Sequence, residues 1–346
     1  MSVQILRGLA ALLVVSAHAF GYVLTTPDHS YILWLGHWRY FCAIGVDIFF
    51  VISGFVMALS MAKYEGKPGS FLTQRWLRIV PLAWFVALAT VLLGAQYGPK
   101  SALAVLTIIP VGTTYSYPFV NAMWTLSFEF VFYLLVAFAL ACRLGRWHLF
   151  AIICALASVG LIWNAGFPLL RWFTHPILFE FALGVLAFQL RGKISSPYLR
   201  LALVSGGVLI LWQFFTSNEW IGHRDMTVLG NAAIYRALIW GLPIFLLFVV
   251  ATHREPRGSV LSKAGQFLGD ASYSLYLTHA FVLLSLFRFI PGPADVRYIL
   301  SLALTVAVGS AVHWLVERPM MATFHSIRSN GLGKASAEPA LIPVEN

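Results

Sequence analysis

Few residues in this chain can do acid–base or anion chemistry, and most of them sit inside apolar runs. Arg7 and His18 come first. At about 100° per residue they fall on one helix face, about 16 Å apart along the axis. Ala11, Val14 and Gly21 complete that stripe and leave room beside it. Histidine is the natural proton acceptor near neutral pH; a core histidine bonded to a neighbouring helix is the plainer reading. Asp47 stands within Gly45-Val46-Asp47-Ile48-Phe49-Phe50-Val51-Ile52-Ser53-Gly54. A lone buried carboxylate is costly, so it needs a cationic or hydroxyl partner, and His18 at a comparable depth is the expected one. Arg75 and Arg78 lie three residues apart at the start of another apolar run. Such a pair either anchors a helix among lipid headgroups or clamps a phosphate with its planar forks. Thr125, Glu129 and Tyr133 make one polar stripe at i, i+4 and i+8, with Glu129 expected near the depth of Asp47. In Ser272-Tyr273-Ser274-Leu275-Tyr276-Leu277-Thr278-His279, the side chains of Ser272, Tyr276 and His279 share a face. They line a path for a polar ligand, or they pack. Glu180 and His313 read as paired structural residues, and Glu317 as the partner of a loop arginine. The spacing of His29, His37, His175 and His223 matches no metal site, and there is neither a GxSxG elbow nor a glycine-rich phosphate loop.

The elements that must position these groups are membrane helices. The chain is 60% hydrophobic and 10% charged, with a mean hydropathy of +0.81; a soluble domain carries about 25% charge. That excludes an ordinary soluble enzyme, a disordered chain and a nucleic-acid module. Cys42, Cys142 and Cys154 give neither a disulfide framework nor a CxxC pair. A span needs about 20 apolar residues. Runs of that kind lie near 5–25, 42–62, 78–97, 121–142, 147–165, 175–191, 199–217, 234–251, 268–290 and 298–316. A further run at 101–117 is short and is interrupted or bounded by Pro110, Gly112 and Pro118. With both termini cytoplasmic and 101–117 re-entrant, sixteen Lys and Arg fall inside and seven outside. If 101–117 crosses, the split becomes ten to thirteen. The positive-inside rule selects the first arrangement, in which the net charge of +10 reports topology rather than a nucleic-acid partner. Ala17-His18-Ala19 resembles a signal-peptide cleavage site, but the apolar stretch continues through Phe20–Leu24, which favours a retained span. No internal repeat is visible. The expected organisation is an all-α, polytopic transmembrane helical bundle of about ten spans over 1–319, followed by a disordered cytoplasmic tail over 320–346. With no soluble catalytic domain expected at either end, any chemistry must occur among the helices. Besides an enzyme, the intramembrane His, Asp and Glu admit a proton-coupled transporter or flippase, or a scaffold without chemistry.

Taken together, Arg7-x10-His18, Gly45–Gly54, Arg75-x-x-Arg78-Ile79-x-Pro81, Trp124-Thr125-Leu126-Ser127-x-Glu129, Ser272–His279 and Glu317-Arg318-Pro319 resemble the acyltransferase 3 family of integral membrane acyltransferases. The likeness is strongest to the short exopolysaccharide O-acetyltransferases. The resemblance spans residues 7 to 319 in the family's order and lacks the esterase-like domain of some members. It implies a cytoplasmic acyl-CoA donor and an acceptor hydroxyl on a glycan or lipid-linked sugar. It implies that Arg7 and His18 are essential and that Arg75 and Arg78 serve the donor. On this reading Arg7, Arg75, Arg78, Ser272, Tyr273, Tyr276 and His279 bind acetyl-CoA. His18, supported by Asp47 and Glu129, removes the acceptor's proton. No metal is needed, and the protein works in a bacterial inner membrane, as a homodimer or beside polysaccharide-assembly machinery.

Overall fold

The computed structural model describes residues 2–24, 31, 36–92, 106, 123–163, 168–217, 233–253, 260–324 and 326. All regular structure among them is helical. In chain order the helices are α1 (Ser2–Val23), α2 (Gly36–Cys42), α3 (Ile44–Ser60), α4 (Pro68–Leu92), α5 (Met123–Ala141), α6 (Arg146–Ile162), α7 (Pro168–Phe173), α8 (Leu178–Leu190) and α9 (Ser196–Thr216). They are followed by α10 (Ala233–His253), α11 (Val260–Asp270), α12 (Ser272–Phe289) and α13 (Ala294–Phe324). Eight apolar stretches among these helices are long enough to cross a membrane. Of the other two expected spans, α6 has 17 residues and α12 carries the polar Ser272–His279 run.

The apolar runs form helices because a bilayer leaves the backbone no other partner for its N–H and C=O groups. Helices packed inside the bundle bury both faces: Phe20, Phe71, Phe128, Phe132, Phe181 and Trp240 are fully enclosed. Peripheral α9 instead shows Leu201, Val204, Val208 and Phe215 outward, as a lipid-facing helix must.

The centre is built by α1, α3, α5, α8 and α12. Helix α3 packs along α8, where Gly54 and Gly184 bring the backbones into contact. A Cβ on Gly54 would stand 2.1 Å from the Phe181 carbonyl oxygen, and one on Gly184 would stand 2.1 Å from that of Val51. Small residues at such a crossing are the usual route to close packing where lipid removes the hydrophobic drive. Helix α1 lies between α3 on one side and α11, α12 and α13 on the other.

Several boundaries differ from the sequence reading. Helix α4 begins at Pro68, so Arg75 and Arg78 lie two to three turns inside it rather than at its start. Its first turns are polar and need no hydrocarbon, so hydropathy does not register them. Pro81 within α4 frees the carbonyl one turn earlier. The 268–290 run breaks at Ala271 into α11 and α12, and 175–191 begins only at Leu178, after α7. Helix α10 widens to i→i+5 turns at Ala237–Gly241, and α13 does so at His313–Glu317. The second wide turn lets α13 pass Pro319 and continue to Phe324, beyond the expected boundary at 319. Of segment 101–117 only Leu106 is described, and its carbonyl accepts from Trp84 Nε1 at 3.1 Å. The re-entrant reading, and the 320–346 tail beyond α13 except for Ser326, fall outside the described residues.

Candidate active site

Helices α1, α3, α4, α5, α12 and α13 bring most of the candidate residues onto one polar track. At one end three guanidinium groups gather. Arg7 on α1 is half-buried and donates to Gln4 Oε1 at 3.2 Å. Gln4 in turn donates to Asp270 Oδ1 at 2.6 Å, tying α1 to the end of α11. Arg78, Glu129, Tyr133 and Glu317 all lie close enough to Arg7 to act on its charge. Arg75 rests over the rings of Phe71 and Tyr133, 5.4 and 6.0 Å from their centroids, and its Nε is buried without an acceptor. Among the described residues none of Arg7, Arg75 and Arg78 forms a carboxylate ion pair.

The carboxylates nearby are engaged elsewhere. Tyr133 and Ser53 both donate to Glu129 Oε1, Ser53 at 3.4 Å. Glu317 is not the partner of a loop arginine: its Oε2 accepts from Ser274 at 2.6 Å and from His313 Nδ1 at 2.8 Å. The wide turn within α13 aims Glu317 inward, which the flanking Glu-Arg-Pro sequence did not disclose.

From this cluster the track follows α12. Tyr273 donates to the Ile79 carbonyl at 2.6 Å, close to Pro81 of α4. Ser272 Oγ is buried with no partner. The Tyr276 hydroxyl meets Thr125 Oγ1 at 2.7 Å, and its ring is edge-on to Phe49. The far end holds two histidines. His18 and His279 lie with ring centroids 4.9 Å apart, and His279 is 5.8 Å from the Tyr276 ring. His18 keeps part of its surface accessible, whereas His279 is fully buried.

The hydrogen bonds of His18 fix its chemistry. Its Nδ1 lies 2.9 Å from the Val14 carbonyl, which can only accept. Nδ1 therefore carries the proton, and in the neutral ring Nε2 holds the lone pair. This is the nitrogen a general base uses.

Two expected supports of His18 are corrected by this arrangement. Asp47 does not face His18. It forms a fully buried, bidentate pair with Arg236 of α10, Nε to Oδ1 at 2.8 Å and Nη2 to Oδ2 at 2.7 Å. Arg236 also donates to the Ala43 carbonyl at 3.1 Å and stacks over Trp240. Glu180 of α8 borders this pair and acts electrically on both members. The reason is chemical: a guanidinium satisfies both oxygens of a buried carboxylate, while one imidazole N–H satisfies one. Glu129 likewise lies with Ser53 and Arg7, nearer the arginine end than the Asp47 level where it was expected. Arg236 was the residue that sequence reading missed. It sits 189 positions from Asp47, and no spacing links the two; its one signal was a cation just inside an apolar run. Among the described residues no three His, Cys, Asp or Glu side chains converge as a metal-binding set.

A helical membrane bundle with a half-buried arginine cluster, a polar track and a histidine whose Nε2 keeps its lone pair has the parts of an intramembrane group-transfer site. The chain belongs to the family described as the acyltransferase domain, whose model matches residues 2–314. It is a multi-pass membrane acyltransferase. Curated relatives match it nearly end to end. The exopolysaccharide production protein ExoZ of Rhizobium meliloti (strain 1021) is 29% identical over 88% of this chain and 97% of its own length. Nodulation protein 10 of Rhizobium leguminosarum bv. viciae is 27% identical over 92% of each chain. The putative membrane-bound transacylase BcsY of Komagataeibacter xylinus is 28% identical over 96% of this chain and 83% of its own. No solved structure matches the chain.

Proposed function

We propose that this protein takes an acetyl group from acetyl-CoA at the cytoplasmic face of a bacterial inner membrane and passes it to a glycan hydroxyl at the other side. The observation that carries this reading is the convergence of Arg7, Arg75 and Arg78, without ion-pair partners among the described residues, at one end of a track that ends on His18. Like charges held together in a low-dielectric interior repel, so an anion that joins such a cluster is bound favourably, beyond what Glu129 and Glu317 nearby already offset. Coenzyme A supplies that anion as phosphates, on a long arm that separates them from the thioester. Arg7 and His18 are about 16 Å apart along α1, and Ser272, Tyr273, Tyr276 and His279 lie beside that interval.

In the transfer step the acceptor hydroxyl oxygen bonds to the thioester carbonyl carbon while His18 Nε2 takes the hydroxyl proton. The carbon–sulfur bond then breaks, and the proton returns to the departing thiolate. Glu129 stays at the arginine end, where it orients Tyr133 and moderates the positive cluster; Asp47 holds α10 against α3. The relatives named for exopolysaccharide production and membrane transacylation support a polysaccharide or lipid-linked sugar as acceptor, reached alone, as a homodimer or beside the polysaccharide-assembly machinery.

The test is to incubate the purified protein in nanodiscs with acetyl-CoA labelled in the acetyl group, with succinyl-CoA as the rival donor, and to add membrane glycan extract. Release of free CoA with label on the glycan is expected. Movement of sugar across vesicles without CoA release would identify a transporter instead.

A further inference from the structure

With Asp47 committed to Arg236 and Glu129 to Tyr133 and Ser53, no carboxylate among the described residues supports the cation that His18 becomes when it accepts a proton. Arg39 of α2 lies within electrostatic range of His18 and opposes that cation. The group that does lie against His18 is His279. The other titratable neighbour on this side, Tyr276, is held at its hydroxyl by Thr125.

His279 is set up for one task. Its Nδ1 lies 2.5 Å from the Tyr276 carbonyl, an acceptor only, so Nδ1 carries the proton and Nε2 carries a lone pair. That Nε2 is buried and has no hydrogen-bond partner. A buried acceptor left unmet is costly, and such an orphan calls for an explanation. Both rings thus have Nδ1 tied to the backbone of the preceding turn, and each has one basic nitrogen left. Two neutral imidazoles of this kind cannot hydrogen-bond to each other through those nitrogens, but one protonated and one neutral imidazole can.

We propose that His279 is the positioning residue for His18, and that its Nε2 lone pair and neutral ring stabilise the His18 imidazolium during transfer. The proton leaves the acceptor hydroxyl for His18 Nε2, and the neutral His279 ring beside it stabilises the resulting cation. The proton then passes to the thiolate sulfur freed from the thioester. His279 returns to its starting state each turnover, and no further reactant is required. This rests on His18 being the general base, and it assigns to His279 a role in the chemical step rather than in holding the donor.

The experiment is a double-mutant cycle of His18→Ala and His279→Ala in nanodiscs, with kcat and both KM values measured and folding checked by monodisperse elution. His279→Ala is expected to lower kcat by about tenfold to a hundredfold, with both KM values within about twofold of the parent protein, an arbitrary margin set by ordinary assay scatter. His279→Gln, which keeps an acceptor near the Nε2 position, should recover part of the loss, and added imidazole should partly rescue His279→Ala. In the His18→Ala background, removing His279 should cost nothing more, because the two act as a unit. A raised donor KM with unchanged kcat would overturn the proposal and make His279 a donor contact. Additive losses, or a kcat loss that neither Gln nor imidazole recovers, would make it a packing residue. If His18→Ala itself keeps normal turnover, the general-base reading fails, and the two failures are thereby told apart.

Discussion

At the residue scale, the same side-chain types serve opposite ends depending on their partners. Arg236 and Arg75 are both arginines within spans, yet Arg236 is closed on both oxygens of Asp47 while Arg75 has a buried donor without an acceptor. The first is held in the fold by that pair, and the second is the one proposed to meet the donor. Breaking a buried pair on one side leaves an uncompensated charge and costs about 3–5 kcal/mol. Arg236→Met is therefore expected to lower Tm in detergent sharply, with Asp47→Leu in the same chain restoring most of it; equal melting of single and double variants would contradict this. For Arg75 and Arg78, proposed to hold the donor, the contrast is with lysine, which keeps the charge but lacks the fork. Arg75→Lys with Arg78→Lys is expected to raise the KM for acetyl-CoA by roughly tenfold to a hundredfold, the equivalent of lost charge-assisted bonds. The acceptor KM should hold, and an unchanged donor KM would return both residues to membrane anchoring. His18→Ala and His18→Gln are expected to insert and fold but to lose about 10²–10⁴ in turnover; near-normal rates in a folded variant would remove His18 from the chemistry.

At the element scale, close crossings and irregular turns place the site. The wide turn at His313–Glu317 directs Glu317 to Ser274, and the wide turn that follows Arg236 lies where α10 meets α3 and α8. Turns of this kind reorient side chains without ending the helix. The α3–α8 crossing fixes Asp47 and Ser53 on the same helix that faces the track. Gly184→Leu puts a side chain into the Val51 carbonyl. Overpacking usually costs about 1–3 kcal/mol, and backbone that cannot yield places it at the upper end. Lower Tm with loss of the Asp47–Arg236 contact is expected, since both depend on how α3 lies. The measurement is a melting curve for Gly184→Leu beside one for Gly184→Ala, which should lose less.

At the scale of the whole molecule, the proposed function requires the donor and acceptor to meet from opposite faces, so topology is itself a prediction. Reporter fusions in 97–120 and in 218–230 are expected to be external, and those in 64–70 and after 325 cytoplasmic. The sixteen-to-seven charge split motivates this. An external C-terminus would show that 101–117 crosses the membrane and would displace Glu129, which follows that segment, to the wrong depth.

The helices themselves were legible because a bilayer demands long apolar runs and satisfies their backbones in only one way. Helical periodicity likewise told which residues of one helix share a face: Arg7 with His18, Thr125 with Glu129 and Tyr133, Tyr276 with His279. Partners between helices were not legible. Asp47 met Arg236 rather than His18, Glu317 met His313 and Ser274 rather than a loop arginine, and His279 lies against the ring of His18, a contact that spacing did not disclose. Sequence spacing fixes an angle and a rise along one axis, whereas pairing depends on which helices cross, at what depth and in what rotation. Those are set by the packing of small residues such as Gly54 and Gly184, and only the assembled bundle decides them.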